Sequence, residues 1–166
     1  MNSGKDEDLW YFNAPAKFLG WQGVVYGGTM DFTMSSFSGD FSTGNMNSDL
    51  KIVEMHCAKC ATNSGITMSF PLSLTSFNGS TKTFSLPLLE TSGWLQDPEN
   101  TLKTWNAPTR CQFIELLGGL TSVKILGDFT QWYESVSVDN VKFVKSGSSS
   151  IPICAQGSPD ASVCTC

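Results

Sequence analysis

Tyr26-Gly27-Gly28-Thr29-Met30-Asp31-Phe32-Thr33-Met34 is the stretch whose reading decides the fold class. After the Gly27-Gly28 break, apolar Met30, Phe32 and Met34 alternate with polar Asp31 and Thr33. That period of two is the mark of a strand with one buried face. Val24 to Tyr26 alternates in the same way before the break and reads as strand too. Further along, Leu50, Ile52 and Glu54 continue a strand pattern, and Ile66 to Leu74 and Thr81 to Leu89 flank Asn78-Gly79. Asn-Gly is the preferred two-residue hairpin turn, so these two runs form the clearest hairpin candidate. Pro71 and Pro87 each remove a ladder donor, which puts their strands at an edge or a bend. Val123 to Leu126 and Val136 to Val144 supply two more strands, the second with Val136, Val138 and Val141 bracketing Asp139-Asn140.

One short helix is expected, capped and started by Asn106-Ala107-Pro108, with Phe113, Leu116 and Leu117 at helical spacing and Gly118-Gly119 as its stop. About seven or eight short strands between turn signals predict an all-β sandwich or jelly roll. No internal repeat is present. The sandwich is expected over residues 1–145, and residues 146–166 read as a Ser/Gly linker followed by a cysteine-containing tail.

The 166 residues are 40% hydrophobic and only 15% charged, enough to bury a core without a cytosolic helical protein's charge density. A net charge of −5 and a single arginine, Arg110, exclude nucleic acid, which requires clustered Lys and Arg. No apolar run approaches the ~18–20 residues of a membrane span. Met1 to Asp8 is polar and acidic where a secretion signal would carry its apolar stretch. An extracellular chain of this sequence is therefore expected to be a mature form or an excised domain.

Cys57, Cys60, Cys111, Cys154, Cys164 and Cys166 form an even set in a Ser/Gly-rich chain, which predicts disulfides and an oxidising compartment. Cys57 with Cys60 across a tight loop, and Cys154 with one of the last two cysteines, are the preferred pairings; the sequence leaves the rest open. Asn78-Gly79-Ser80 is an N-glycosylation sequon, and both that reading and the turn reading put Asn78 on the surface.

Trp10-Tyr11-Phe12-Asn13-Ala14-Pro15-Ala16-Lys17-Phe18-Leu19-Gly20 resembles the laminin IV type A domain, also called the laminin B domain. The likeness continues through Tyr26 to Phe32, returns at Phe84 to Glu90 and Gly93-Trp94, and then in the Phe113 to Leu120 helix. It closes with Leu120 to Ile125 and Ser137 to Val141, in family order and over residues 9–144. The resemblance implies a galactose-binding-like jelly-roll sandwich with structural or adhesive roles, secreted or at the cell surface, and no catalysis. The sequence departs from the family between Glu54 and Gly65, where Met55-His56-Cys57-Ala58-Lys59-Cys60-Ala61 intrudes, and at Trp21, where a small or polar residue is expected.

Chemistry-bearing groups are sparse. His56-Cys57-x-x-Cys60 with Cys164 and Cys166 could supply a tetrahedral zinc site, but the two pairs lie far apart and a disulfide is preferred. The residues after Cys60 read as a turn, so a thioredoxin-like centre at a helix start is not expected. Asp97 with Glu99, and Asp128 with Glu134, read as solvated turn acids rather than a hydrolytic pair. A structural Ca²⁺ would use Asp139, with Asp31 or Asp6-Glu7-Asp8 as company, against the plainer reading of a polar step on the solvent face. Trp21, Trp105, Trp132 and Tyr133 fall in loops and are the candidates for stacking on a sugar, whereas Trp10, Phe12, Phe18, Phe32 and Trp94 read as core. The function expected is a non-catalytic extracellular interaction module that binds extracellular proteins or glycans and assembles with copies of itself in a matrix or surface filament. The alternative is a calcium-dependent carbohydrate-binding module.

Overall fold

The computed structural model describes residues 9–41, 50–97, 105–130 and 133–147. Its strands are β1 (Tyr11–Asn13), β2 (Thr29–Ser38), β3 (Lys51–Cys57), β4 (Ile66–Pro71), β5 (Lys82–Pro87), β6 (Leu95–Asp97), β7 (Ser122–Leu126) and β8 (Ser135–Val144). They form two antiparallel sheets, one in the order β1-β7-β3-β4-β6 and the other in the order β5-β2-β8. A helix, Arg110–Gly118, lies between β6 and β7. The expected all-β sandwich with one short helix is the fold observed.

The core lies between the sheets. Met30, Phe32 and Met34 of β2 and Phe84 and Leu86 of β5 face Val53, Met55, Ile66, Met68, Phe70, Val123 and Ile125 of the larger sheet. Phe32 and Phe84 are register partners and stack with ring centroids 5.0 Å apart. Each such side chain contributes about 1.5–3 kcal/mol by leaving water. Trp94 closes one end against Phe70 and Phe113, and its indole N–H donates to the Pro87 carbonyl at 2.7 Å. The helix begins at N-cap Thr109, whose hydroxyl accepts from Gln112 N–H while the Gln112 side chain accepts from Thr109 N–H. It stops at Gly119, as the double glycine predicts.

Several expectations are corrected. The two runs flanking Asn78-Gly79 are not a hairpin, because β4 lies in the five-stranded sheet and β5 in the three-stranded one. The chain between them, with a 3₁₀ turn at Leu72–Leu74, crosses from one layer to the other. The prolines stand where expected: Pro87 is on an edge strand, and Pro71 ends an interior strand where the chain bends into the Leu72–Leu74 turn. Val24 to Tyr26 is not a strand either: Gly23–Val25 is a 3₁₀ turn leading into the Tyr26-Gly27 bend. The helix starts after Thr109 rather than at Asn106, since Asn106 bridges to Gln96 instead. A register shift between Lys51 and Val53 changes the phase of β3. Glu54 therefore leaves the face that Leu50 and Ile52 suggested, as a bulge requires. Trp10 is 41% exposed, its ring lying against Gly127. Asp97 and Asp128 are buried, not solvated turn acids. Glu99 and Asp6-Glu7-Asp8 lie outside the described residues.

Candidate functional site

The loop after β3 is braced rather than reactive. Cys57 and Cys60 are joined in a disulfide, both residues are buried, and Ala61, Thr62 and Asn63 follow with φ of +50°, +55° and +69°. Consecutive left-handed residues with side chains persist only where their surroundings hold them. Here the backbone N–H of Ala61 donates to Oε1 of Glu115 at 2.7 Å, from the buried face of the helix. Gly119 lies against Cys57, where a Cβ would meet Sγ at 3.1 Å. Cys111 is also disulfide-bonded. Cys154, Cys164 and Cys166 lie outside the described residues.

At the far end of β3 an acid pair sits under the rim of the sandwich. Both carboxylate oxygens of Glu134 accept from the Phe129 backbone N–H, at 2.9 and 3.0 Å. Burial, joined by a hydrogen bond and the charge of Asp128, pushes the Glu134 carboxyl up to about 7. Phe41, Phe77 and Phe129 pack beside it, and Gly79 of the sequon abuts Phe41. Asn78 is exposed at this rim, its side-chain oxygen accepting from Ser80 N–H. Phe37 and Tyr133 are each 82% exposed.

The outer face of the five-stranded sheet is polar in ordered rows. One row runs Asn13, Lys124, Glu54, Ser69, Leu95 from β1 to β6, each the register partner of the next. The next runs Ser122, His56, Thr67, Asp97. Lys124 Nζ pairs with Glu54 at 3.0 Å and lies 5.8 Å from the Tyr11 ring centre, while His56 Nδ1 bonds the Thr67 hydroxyl at 2.9 Å. Burial, then the charges of Glu54 and Asp128, raise the Tyr11 phenol pKa. Sequence reasoning weighed His56 and Asp97 for other chemistry and did not see that these residues line up in rows. The available signal was the polar half of the β3 and β4 alternation, Glu54-x-His56 and Thr67-x-Ser69.

The residues singled out from sequence that fall among the described ones do not meet at one place. Asp31 is engaged within its own sheet, accepting from Ser85 at 2.7 Å with Lys142 Nζ at 3.7 Å. Its pKa is lowered, burial opposing the hydrogen bonds of Ser85 and Thr29 and the charge of Lys142. Asp139 accepts from the N–H of Asn140, which stands at a φ of +53° in a bulge of β8. Among the described residues, no group of three or more His, Cys, Asp and Glu side chains converges as a metal cage would require. Trp21 covers Gly23 near the helix C-terminus, whereas the Trp105 ring carries Lys51 Nζ over its face, 5.8 Å from the centre, at the opposite end of β3. Tyr133 projects near the start of β8, and Trp132 lies outside the described residues. His56, the single histidine, hydrogen-bonds the Thr67 hydroxyl rather than an acid or a thiol.

In the Tyr-Gly-Gly turn, Gly27 holds φ +74°, and Gly28 lies against Val144 and Ser146 at the end of β8. The profile of the family described as Laminin B (Domain IV) matches residues 11–153. The chain belongs to the laminin B family. Among solved structures, the L4b domain of human laminin alpha-2 superposes with a TM-score of 0.68 at 13% identity, covering 84% of this chain and 71% of that one. At that identity the likeness is one of fold. No curated protein sequence matches. Laminin B domains are structural modules of the extracellular matrix. Among the described residues, no helix is long and apolar enough to cross a membrane.

Proposed function

We propose that this laminin B domain is a secreted, non-catalytic module that makes protein contacts in an extracellular assembly, including contacts between copies of itself. The observation that carries the reading is β8. It is a ten-residue edge strand, paired on one side with β2 and, among the described residues, with no strand on the other. An open edge offers backbone N–H and C=O groups to a neighbouring strand. The bulge at Asn140 and the exposed Lys142 limit that pairing to short segments on either side, which suits a specific contact rather than aggregation. Asn78 is read as an N-glycan acceptor at the rim beyond β2. Asp31 and Asp139 are read as the candidate carboxylates of a structural Ca²⁺, whose remaining oxygens would have to come from backbone carbonyls and water.

Sedimentation and negative-stain imaging of the mature protein over a wide concentration range test the self-association. Dimers or filaments weakened by Val141→Pro are expected. A strict monomer at high concentration would sink that part of the reading.

A further inference from the structure

We propose that Asn78 is a site of spontaneous chemical conversion, at which its amide closes onto the Gly79 nitrogen and reopens as aspartate or isoaspartate. Asn78 is the one asparagine of the chain followed by glycine, and it is exposed at the rim. The Gly79 N–H donates to no acceptor among the described residues, so the fold does not hold the attacking nitrogen back. The side-chain oxygen of Asn78 accepts from the Ser80 N–H at 3.2 Å. That bond polarises Cγ and stabilises the negative charge that attack places on the oxygen. Glycine is also hard to exchange here: Gly79 stands at φ +88°, and a Cβ on it would lie 2.9 Å from the Phe41 ring. The fold thus keeps the labile pair in place.

The Gly79 nitrogen attacks Asn78 Cγ, and the N–Cγ bond forms as the Cγ–Nδ2 bond breaks. Nδ2 leaves as ammonia, taking the proton that the Gly79 nitrogen loses, and a five-membered imide remains. The two groups are neighbours in the chain, so no second molecule has to be brought in for this step. Water then opens the imide. Opening at Cγ gives aspartate, and opening at the main-chain carbonyl gives isoaspartate, whose main chain runs through Cβ and Cγ. Either product carries a carboxylate in place of a neutral amide. Ser36 N–H donates to Gly79 O at 2.9 Å, extending the β2–β5 ladder beyond the Met34–Lys82 pair. The extra main-chain atom of isoaspartate displaces that carbonyl and loosens this end of β2.

Exposure alone does not select Asn78, because Asn13, Asn63, Asn106 and Asn140 are exposed as well. Their surroundings differ. The nitrogen after Asn13 donates to Val123 O at 2.9 Å, and the one after Asn63 donates to Ala61 O at 3.1 Å. Asn106 is pinned by backbone bonds in both directions with Gln96 and is followed by alanine. Asn140 precedes Val141, whose branched Cβ crowds its own nitrogen. Conversion removes the nitrogen that an N-glycan would occupy, so a converted domain takes no glycan at this position. The chemistry itself needs neither the glycan nor self-association.

The test holds the intact, unglycosylated chain at neutral pH for weeks, in native buffer and in urea. Peptide mass spectrometry follows each asparagine, and an isoaspartyl methyltransferase labels the isoaspartate. A gain of one mass unit at residue 78 is expected, about tenfold faster than at Asn13 or Asn63, the factor that one hydrogen bond on the attacking nitrogen carries. The folded rate should lie within about threefold of the rate in urea. Asn78→Gln should abolish the gain, and hydrogen exchange at the Ser36 N–H should quicken in the isoaspartate fraction. The proposal is overturned if residue 78 keeps its amide, if folding slows the conversion by more than that margin, or if Asn63 converts as fast. None of these results bears on self-association, which is read by sedimentation.

Discussion

Gly28 and Val144 approach so closely that a Cβ built on Gly28 would stand 1.9 Å from the Val144 carbonyl oxygen. That contact joins the Tyr-Gly-Gly turn to the end of the long edge strand. The turn is locked from its other side as well, Gly27 N–H donating to Leu88 O and Leu88 N–H donating to Gly28 O, each at 2.9 Å.

Gly28→Ala is therefore expected to destabilise the domain by about 3 kcal/mol or more, since backbone atoms must move to admit the methyl group. Gly118→Ala is the control. Nothing lies within 4 Å of a Cβ there, and the helix should gain about 0.5–1 kcal/mol. Calorimetric melting of the two variants checks both signs.

Ser69→Ala should raise stability by about 1 kcal/mol, because it removes a buried hydroxyl for which the described residues offer no hydrogen-bond partner. Urea unfolding monitored by tryptophan fluorescence would measure it. A loss of stability would mean that the hydroxyl is held by water.

Stability should fall as pH rises from about 4.5 to about 7. The Glu134 carboxyl is raised from 4.5 to about 7 by burial and by Asp128, so the folded state takes up a proton in that window. Its favourable contribution is complete below 4.5 and lost above 7. Melting temperature against pH would show the slope, and Glu134→Gln should flatten it.

Replacing Cys57 and Cys60 together by alanine should cost about 2 kcal/mol, the chain-entropy value for so short a loop. In the intact domain, Thr62→Gly should stabilise by about 1 kcal/mol, because a β-branched residue at φ +55° is relieved. Chemical denaturation of both variants tests the pair of opposite effects.

The alternation at Met30, Phe32 and Met34 placed β2 correctly because side-chain period follows from backbone geometry alone. The Cys57–Cys60 pairing and the Gly119 stop were legible for the same reason, being set within a few residues. The apparent hairpin across Asn78-Gly79 failed because turn chemistry does not say which sheet each flanking strand joins. The burial of Asp97 and Asp128 was hidden likewise, since packing from distant elements sets it.

Local rules thus determined by themselves that this chain is all-β, oxidised and built on alternating faces, because those properties depend on neighbours within a few residues. Only the tertiary structure decided that Lys124, Glu54 and Ser69 stand side by side on three strands, drawn from distant stretches of the chain. A bulge between Lys51 and Val53 sets which face they share, and strand alternation by itself carries no record of that shift.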